Sequence, residues 1–127
     1  MKIVHIETVI HCGPYAESKH WKDTRRVLHA SVKKCGWPPG NKTFTIHPQS
    51  GKKRGEGNGV VPIKLEFIKE LRTRGWTIEG AAKNQLGQEL GDFDAVILGP
   101  EGPIVAEWET GNISSSHRSM NKLTMLV

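Results

Sequence analysis

Apolar side chains recur along this chain at two different periods, and each period predicts a different element. Between residues 16 and 35, Trp21, Leu28, Val32 and Cys35 return at roughly helical spacing. Gly36 and the pair Pro38 and Pro39 then end that helix. A second helical stretch covers residues 63–74, where Ile63, Phe67 and Leu71 lie four apart and Gly75 follows as the stop. The β-branched, alternating run NKTFTIH at 41–47 predicts a short strand. The clearest strands are FDAVIL at 93–98 and IVAEW at 104–108, joined by the turn-forming GPEGP at 99–103. From Ser114 a last helix is expected to run through Leu123 towards the end, with Ser or Asn ahead of its first turn as the cap. Helices and strands interleave, so the expected class is α/β, and 127 residues suit a single domain with one core.

The predicted hairpin carries the chemistry. Side chains alternate along a strand, so Glu107 and Glu109 share one face and Trp108 takes the other. If residues 100–103 form a four-residue loop, Gly99 faces Ile104. Counting back then sets Asp94 opposite Glu109, on the face that also holds Glu107. A three-residue loop would send Asp94 to the other face, so the inference depends on register. Carboxylates packed together repel, and they stay together only when protonated, spread into solvent or neutralised by a cation. An all-oxygen donor set suits a hard ion such as Mg²⁺. The same spacing also fits three solvated carboxylates on an exposed sheet face.

Charge sharpens the picture. Residues 1–58 hold eleven Lys and Arg against four acids, whereas residues 59–127 hold seven against nine. A basic half faces phosphates readily, and its densest part is the Lys52-Lys53-Arg54 run inside the Gly- and Pro-punctuated loop at 48–58. The alternative for such charge is a solvated surface. No apolar run approaches the roughly 20 residues that cross a bilayer. The first ten residues lack the long apolar stretch of a secretory leader. The expectation is a cytoplasmic protein with no membrane segment. Cys12 and Cys35 form no CxxC and no zinc pattern, which leaves two reduced thiols or one disulfide.

The stretch EWETGNISSSHRSMNK at 107–122 closely resembles the active-site strand and following helix of the BamHI-type restriction endonucleases. KTFTI at 42–46 and NGVVPIK at 58–64 resemble two further segments of that family in the same order, and FDA at 93–95 falls where the family has its metal-binding aspartate. The resemblance runs through residues 37–126. It implies a restriction-endonuclease-like core, with a mixed central sheet flanked by helices, of the PD-(D/E)xK superfamily. Within that superfamily this family carries ExE where most relatives carry ExK. It also implies that Asp94 and Glu107 bind Mg²⁺. Glu109 then replaces the usual lysine, as general base or as the group that orients the attacking water. Glu79 is the further active-site acid and metal ligand implied by its distance from the VVPIK segment, although a surface glutamate fits there equally well. Lys64 is implied to lie near DNA, or else is an ordinary lysine at a helix start.

The same resemblance makes Asn112, Ser114 and Arg118 the candidate DNA-reading residues. Arg binds guanine O6 and N7 in a bidentate manner, and Asn or Ser donates and accepts at base edges. Capping alone also accounts for Asn112 and Ser114. The final helix is implied to be a homodimer element, which would place two active sites on a palindrome in double-stranded DNA, a GGATCC-like site. The family continues beyond the segment matched here, so these 127 residues are expected to hold the N-terminal part of its fold. Two functions compete: a type II site-specific deoxyribonuclease, and a catalytically inactive DNA-binding fragment. A third, a repair or recombination nuclease on the same core, shares only the sparse acidic motif.

Overall fold

In the computed structural model the described residues are 2–9, 11–36, 60–84, 86–109 and 113–125, with backbone only at 60–62 and 113–116. The expected strand at 41–47 and basic loop at 48–58 lie outside them. Two compact units divide the chain, Met1–Leu71 and Arg72–Val127.

The first unit holds α1 (Gly13–Glu17) and α2 (Lys19–Lys34); α2 is the helix expected over 16–35, and the short α1 ahead of it was not expected. Ser18 causes the break. Its backbone is extended, and its hydroxyl accepts from the Trp21 N–H at 3.0 Å, which caps α2. Along α2 the buried positions are Thr24 and Ser31, followed by Cys35 at the helix end, while Trp21, Leu28 and Val32 are half-buried. The buried stripe is thus rotated towards small residues. Ser31 tolerates full burial because its hydroxyl donates to the Val27 carbonyl at 2.8 Å. Both cysteines are free thiols, Cys12 exposed and Cys35 buried. Burial, aided by the charges of Glu66 and Glu70, pushes the Cys35 thiol up to about 11. At pH 8 a thiol-reactive disulfide reagent is therefore expected to label one cysteine in the native chain and two in denaturant. Rapid labelling of both without denaturant would contradict the burial of Cys35.

Helix α3 (Val60–Thr73) buries Ile63, Phe67, Ile68 and Leu71. It ends as predicted at Gly75, which takes φ 85° and donates its N–H to the Arg72 carbonyl.

The second unit holds a three-stranded antiparallel sheet in the order β1 (Thr77–Lys83), β2 (Glu89–Gly99), β3 (Gly102–Ala106), followed by α4 (Ile113–Thr124). Strand β1 was not predicted. Its TIEGAAK sequence is short of β-branched and aromatic residues, and tertiary pairing overrides that weak propensity. Gly80 fits close against β2, since a Cβ there would come within 3.2 Å of Val96. Phe93, Ala82 and Val96 form the core of this unit, with Leu90, Val105 and Leu123 packed against it. Leu123 brings α4 onto the sheet.

The hairpin register differs from the expected one. Gly99 pairs with Gly102, and Leu98 with Pro103, so the loop is only Pro100 and Glu101. Gly102 makes this tight turn accessible, because its φ of 142° is open mainly to glycine. The expected pairing of Asp94 with Glu109 is thereby corrected. Continuing the observed register sets Asp94 abreast of Glu107. The shift is two residues, so parity survives and Asp94 keeps the sheet side assigned by alternation to Glu107. No helix among the described residues is long and apolar enough to cross a membrane.

Candidate active site

Asp94 lies on β2, bracketed by the buried Phe93 and Ala95, and is itself half-buried. Its Oδ2 accepts the Trp108 backbone N–H at 2.7 Å, which ties the end of β3 to β2 just past the last ladder pair. A carboxylate accepting a backbone N–H forms a charge-assisted bond, so this contact fixes the chain at the entry to 107–109. Glu107 is mostly buried, with a side chain 12% exposed, and its Oε1 accepts from Lys122 Nζ at 2.8 Å. Glu109 is exposed, and its Oε1 accepts from the Ser119 hydroxyl at 2.7 Å. Two residues one turn apart on α4, Ser119 and Lys122, thus reach back to the two glutamates of ExE.

The third strand completes the row. Ile78 pairs with Ala95 and Gly80 with Phe93, so Glu79 falls abreast of Asp94. Glu79 on β1, Asp94 on β2 and Glu107, the residue just past β3, fall in one row when the registers are extended. Glu79 is also the one non-glycine residue at positive φ among the described residues, at 51°. A side chain in that left-handed region costs about 1–2 kcal/mol, and such strain clusters at functional sites.

The carboxylates do not converge into a ready-made ligand cage. Among the described residues no group of three or more His, Cys, Asp or Glu side chains stands close enough to hold a metal ion. Asp94, Glu107 and Glu109 are each drawn onto a separate protein donor instead. Separate donors for neighbouring carboxylates offset their mutual repulsion. The donors available are all oxygen, and a cation, the Lys122 ammonium, already rests against Glu107. Both observations fit a hard divalent ion.

The other predicted residues are dispersed. Lys64 is half-buried in the first turns of α3, in the first unit. Arg118 is exposed on α4, as is His117. Asn112 and the side chain of Ser114 lie outside the described residues. Sequence reasoning missed Ser119 and Lys122. The available signal is their i, i+3 spacing on an amphipathic helix that follows the acids, 10 residues from Glu109 to Ser119 and 15 from Glu107 to Lys122.

Comparison with known proteins identifies the family. The family model for restriction endonuclease BamHI matches residues 1–127. The type II restriction enzyme OkrAI of Oceanobacter kriegii is 36% identical over 125 residues, covering 98% of this chain and 60% of that protein. The type II restriction enzyme BamHI of Bacillus amyloliquefaciens is 38% identical over 96 residues, 70% of this chain and 43% of that protein. The chain therefore spans less than two thirds of the length of either relative. With a whole-chain family match and an α/β core that sets an aspartate beside an ExE strand end, the chain belongs to the BamHI restriction endonuclease family.

Proposed function

We propose that this chain carries the acidic centre of a type II site-specific deoxyribonuclease that hydrolyses double-stranded DNA with Mg²⁺ as cofactor. The observation that carries the reading is the placement of Asp94 abreast of Glu107 in a chain whose whole length matches the family. Both relatives bear the name type II restriction enzyme. Residues 1–127 are read as one restriction-endonuclease-like domain, the N-terminal part of the family fold, working as a homodimer in the cytoplasm on a palindrome of GGATCC type.

Asp94 and Glu107 would supply the metal-binding oxygens, with Glu79 joining from β1. When bound, the ion stabilises charge developing on the phosphate and favours ionisation of a water. Glu109, steadied by Ser119, takes a proton from the attacking water or orients it. The water oxygen bonds to phosphorus, the P–O3′ bond breaks, and the 3′-oxygen takes up a proton. The products are a 5′-phosphate and a 3′-hydroxyl. A glutamate in place of the superfamily lysine adds negative charge beside the scissile phosphate, which increases dependence on the metal. Lys64, Arg118, Asn112 and Ser114 are assigned to DNA, with Arg118 as the base-reading cation.

The competing reading is a fragment that binds DNA without cutting it, favoured by the separation of the carboxylates among the described residues. Incubation of the chain with plasmid and Mg²⁺, beside Glu107→Ala, separates the two. Discrete Mg²⁺-dependent fragments lost in the variant are expected. DNA binding with no cleavage by the parent chain would support the fragment reading.

A further inference from the structure

The Lys122 ammonium is held at three points. It donates to Glu107 Oε1 at 2.8 Å and to the Asp92 carbonyl oxygen at 2.5 Å, and it stands 4.2 Å from the centroid of the Phe93 ring. Its side chain is 25% exposed. A carboxylate oxygen, a carbonyl oxygen and a π-face together make a cation-binding environment. Ordering a lysine side chain costs rotamer entropy, which these three contacts must offset.

We propose that Lys122 is the built-in counter-cation of Glu107: its ammonium occupies the cation position at that carboxylate and must be released before a divalent ion can bind there. Lys122 is thus a positioning residue that acts through Glu107. It neutralises a mostly buried carboxylate before metal arrives, and it competes with the metal for the same oxygen. Its placement on α4 couples the two events, because Leu123 on the same helix packs into the sheet core and Ser119 holds Glu109. Metal binding at Glu107 therefore frees a lysine on the helix that also carries Arg118.

The inference rests on the metal-binding role of Glu107, and the test distinguishes the two. Calcium, a probe ion, is titrated calorimetrically into the 127-residue chain and into Lys122→Met without DNA. Methionine keeps an unbranched apolar stem against Phe93 and removes the charge. Loss of a charged hydrogen bond that competes with the ion is expected to tighten calcium binding about tenfold or more. Lys122→Met is also expected to melt at lower temperature than the parent in EDTA and to gain more from calcium. Lys122→Arg keeps a cation and should stay near the parent affinity. Equal or weaker calcium binding by Lys122→Met overturns the proposal while leaving the metal site standing. Calcium bound by neither protein overturns both. If Lys122→Met does not fold, the ¹⁵Nζ signal of Lys122 in the parent chain decides. It is expected to shift as calcium binds, and an unmoved signal during calcium binding overturns the proposal.

Discussion

Asp94→Asn is expected to lower Mg²⁺-dependent DNA cleavage by about 10³-fold, with the fold intact. The asparagine side chain has nearly the same shape, and its carbonyl oxygen can still accept the Trp108 N–H that Asp94 Oδ2 accepts at 2.7 Å. What disappears is the negative charge that, in the proposed site, would face the cation and the phosphate. Removing one preorganised electrostatic group from an active site costs roughly 10²–10³ in turnover, and loss of a metal ligand belongs at the upper end. Single-turnover cleavage measures the loss, and circular dichroism with a thermal melt checks the fold. Cleavage within threefold of the parent rate would remove Asp94 from the site.

Phe93→Ala is expected to be among the most damaging single changes to stability. The ring is 1% exposed and forms the core of the second unit with Ala82 and Val96, against Leu90, Val105 and Leu123. Truncating such a buried ring costs about 3–5 kcal/mol from lost transfer energy and the cavity left behind. Loss of the Lys122 cation–π contact adds about 0.5–2 kcal/mol. A fall of roughly 13–26 °C in Tm follows for a chain of this size. Leu98→Ala is the control: that side chain is 81% exposed, so its change should stay within about 0.5 kcal/mol. A Phe93→Ala loss below about 1 kcal/mol in a urea melt would mean that the core lies elsewhere.

The parts of the fold legible in the sequence were those with a strong local signal. Helix α3 announces itself through Ile63, Phe67 and Leu71 and stops at a glycine that adopts the left-handed conformation. The second part of β2, FDAVIL at 93–98, is an apolar run broken at Asp94, whereas its start at Glu89 carries no such signal. Strand β1 was hidden because Gly80, Ala81 and Ala82 prefer no strand, and only pairing with β2 makes them one. The hairpin register could not be read from composition, since GPEGP supports several loop lengths. The two-residue turn follows from the freedom of Gly102, and the face of Asp94 survived because the error was an even number of residues.

The candidate site was legible as residue types and not as contacts. Asp94, Glu107 and Glu109 stood out by spacing and by resemblance. The place of Glu79 abreast of Asp94, at a positive φ, follows from the pairing of β1 with β2 and has no local sequence signal. Ser119 and Lys122 were invisible because a helix returning over a sheet is a tertiary fact. Through those two contacts α4 provides each glutamate of the strand end with a donor.

In the proposed site Asp94 and Glu107 together hold a divalent cation. Calorimetric titration of Mg²⁺ into the parent chain and into Asp94→Asn, without DNA, tests it most directly. Saturable binding by the parent, weakened at least about tenfold in Asp94→Asn, is the predicted result. Equal Mg²⁺ affinity in the two proteins, or no binding by the parent, would contradict it.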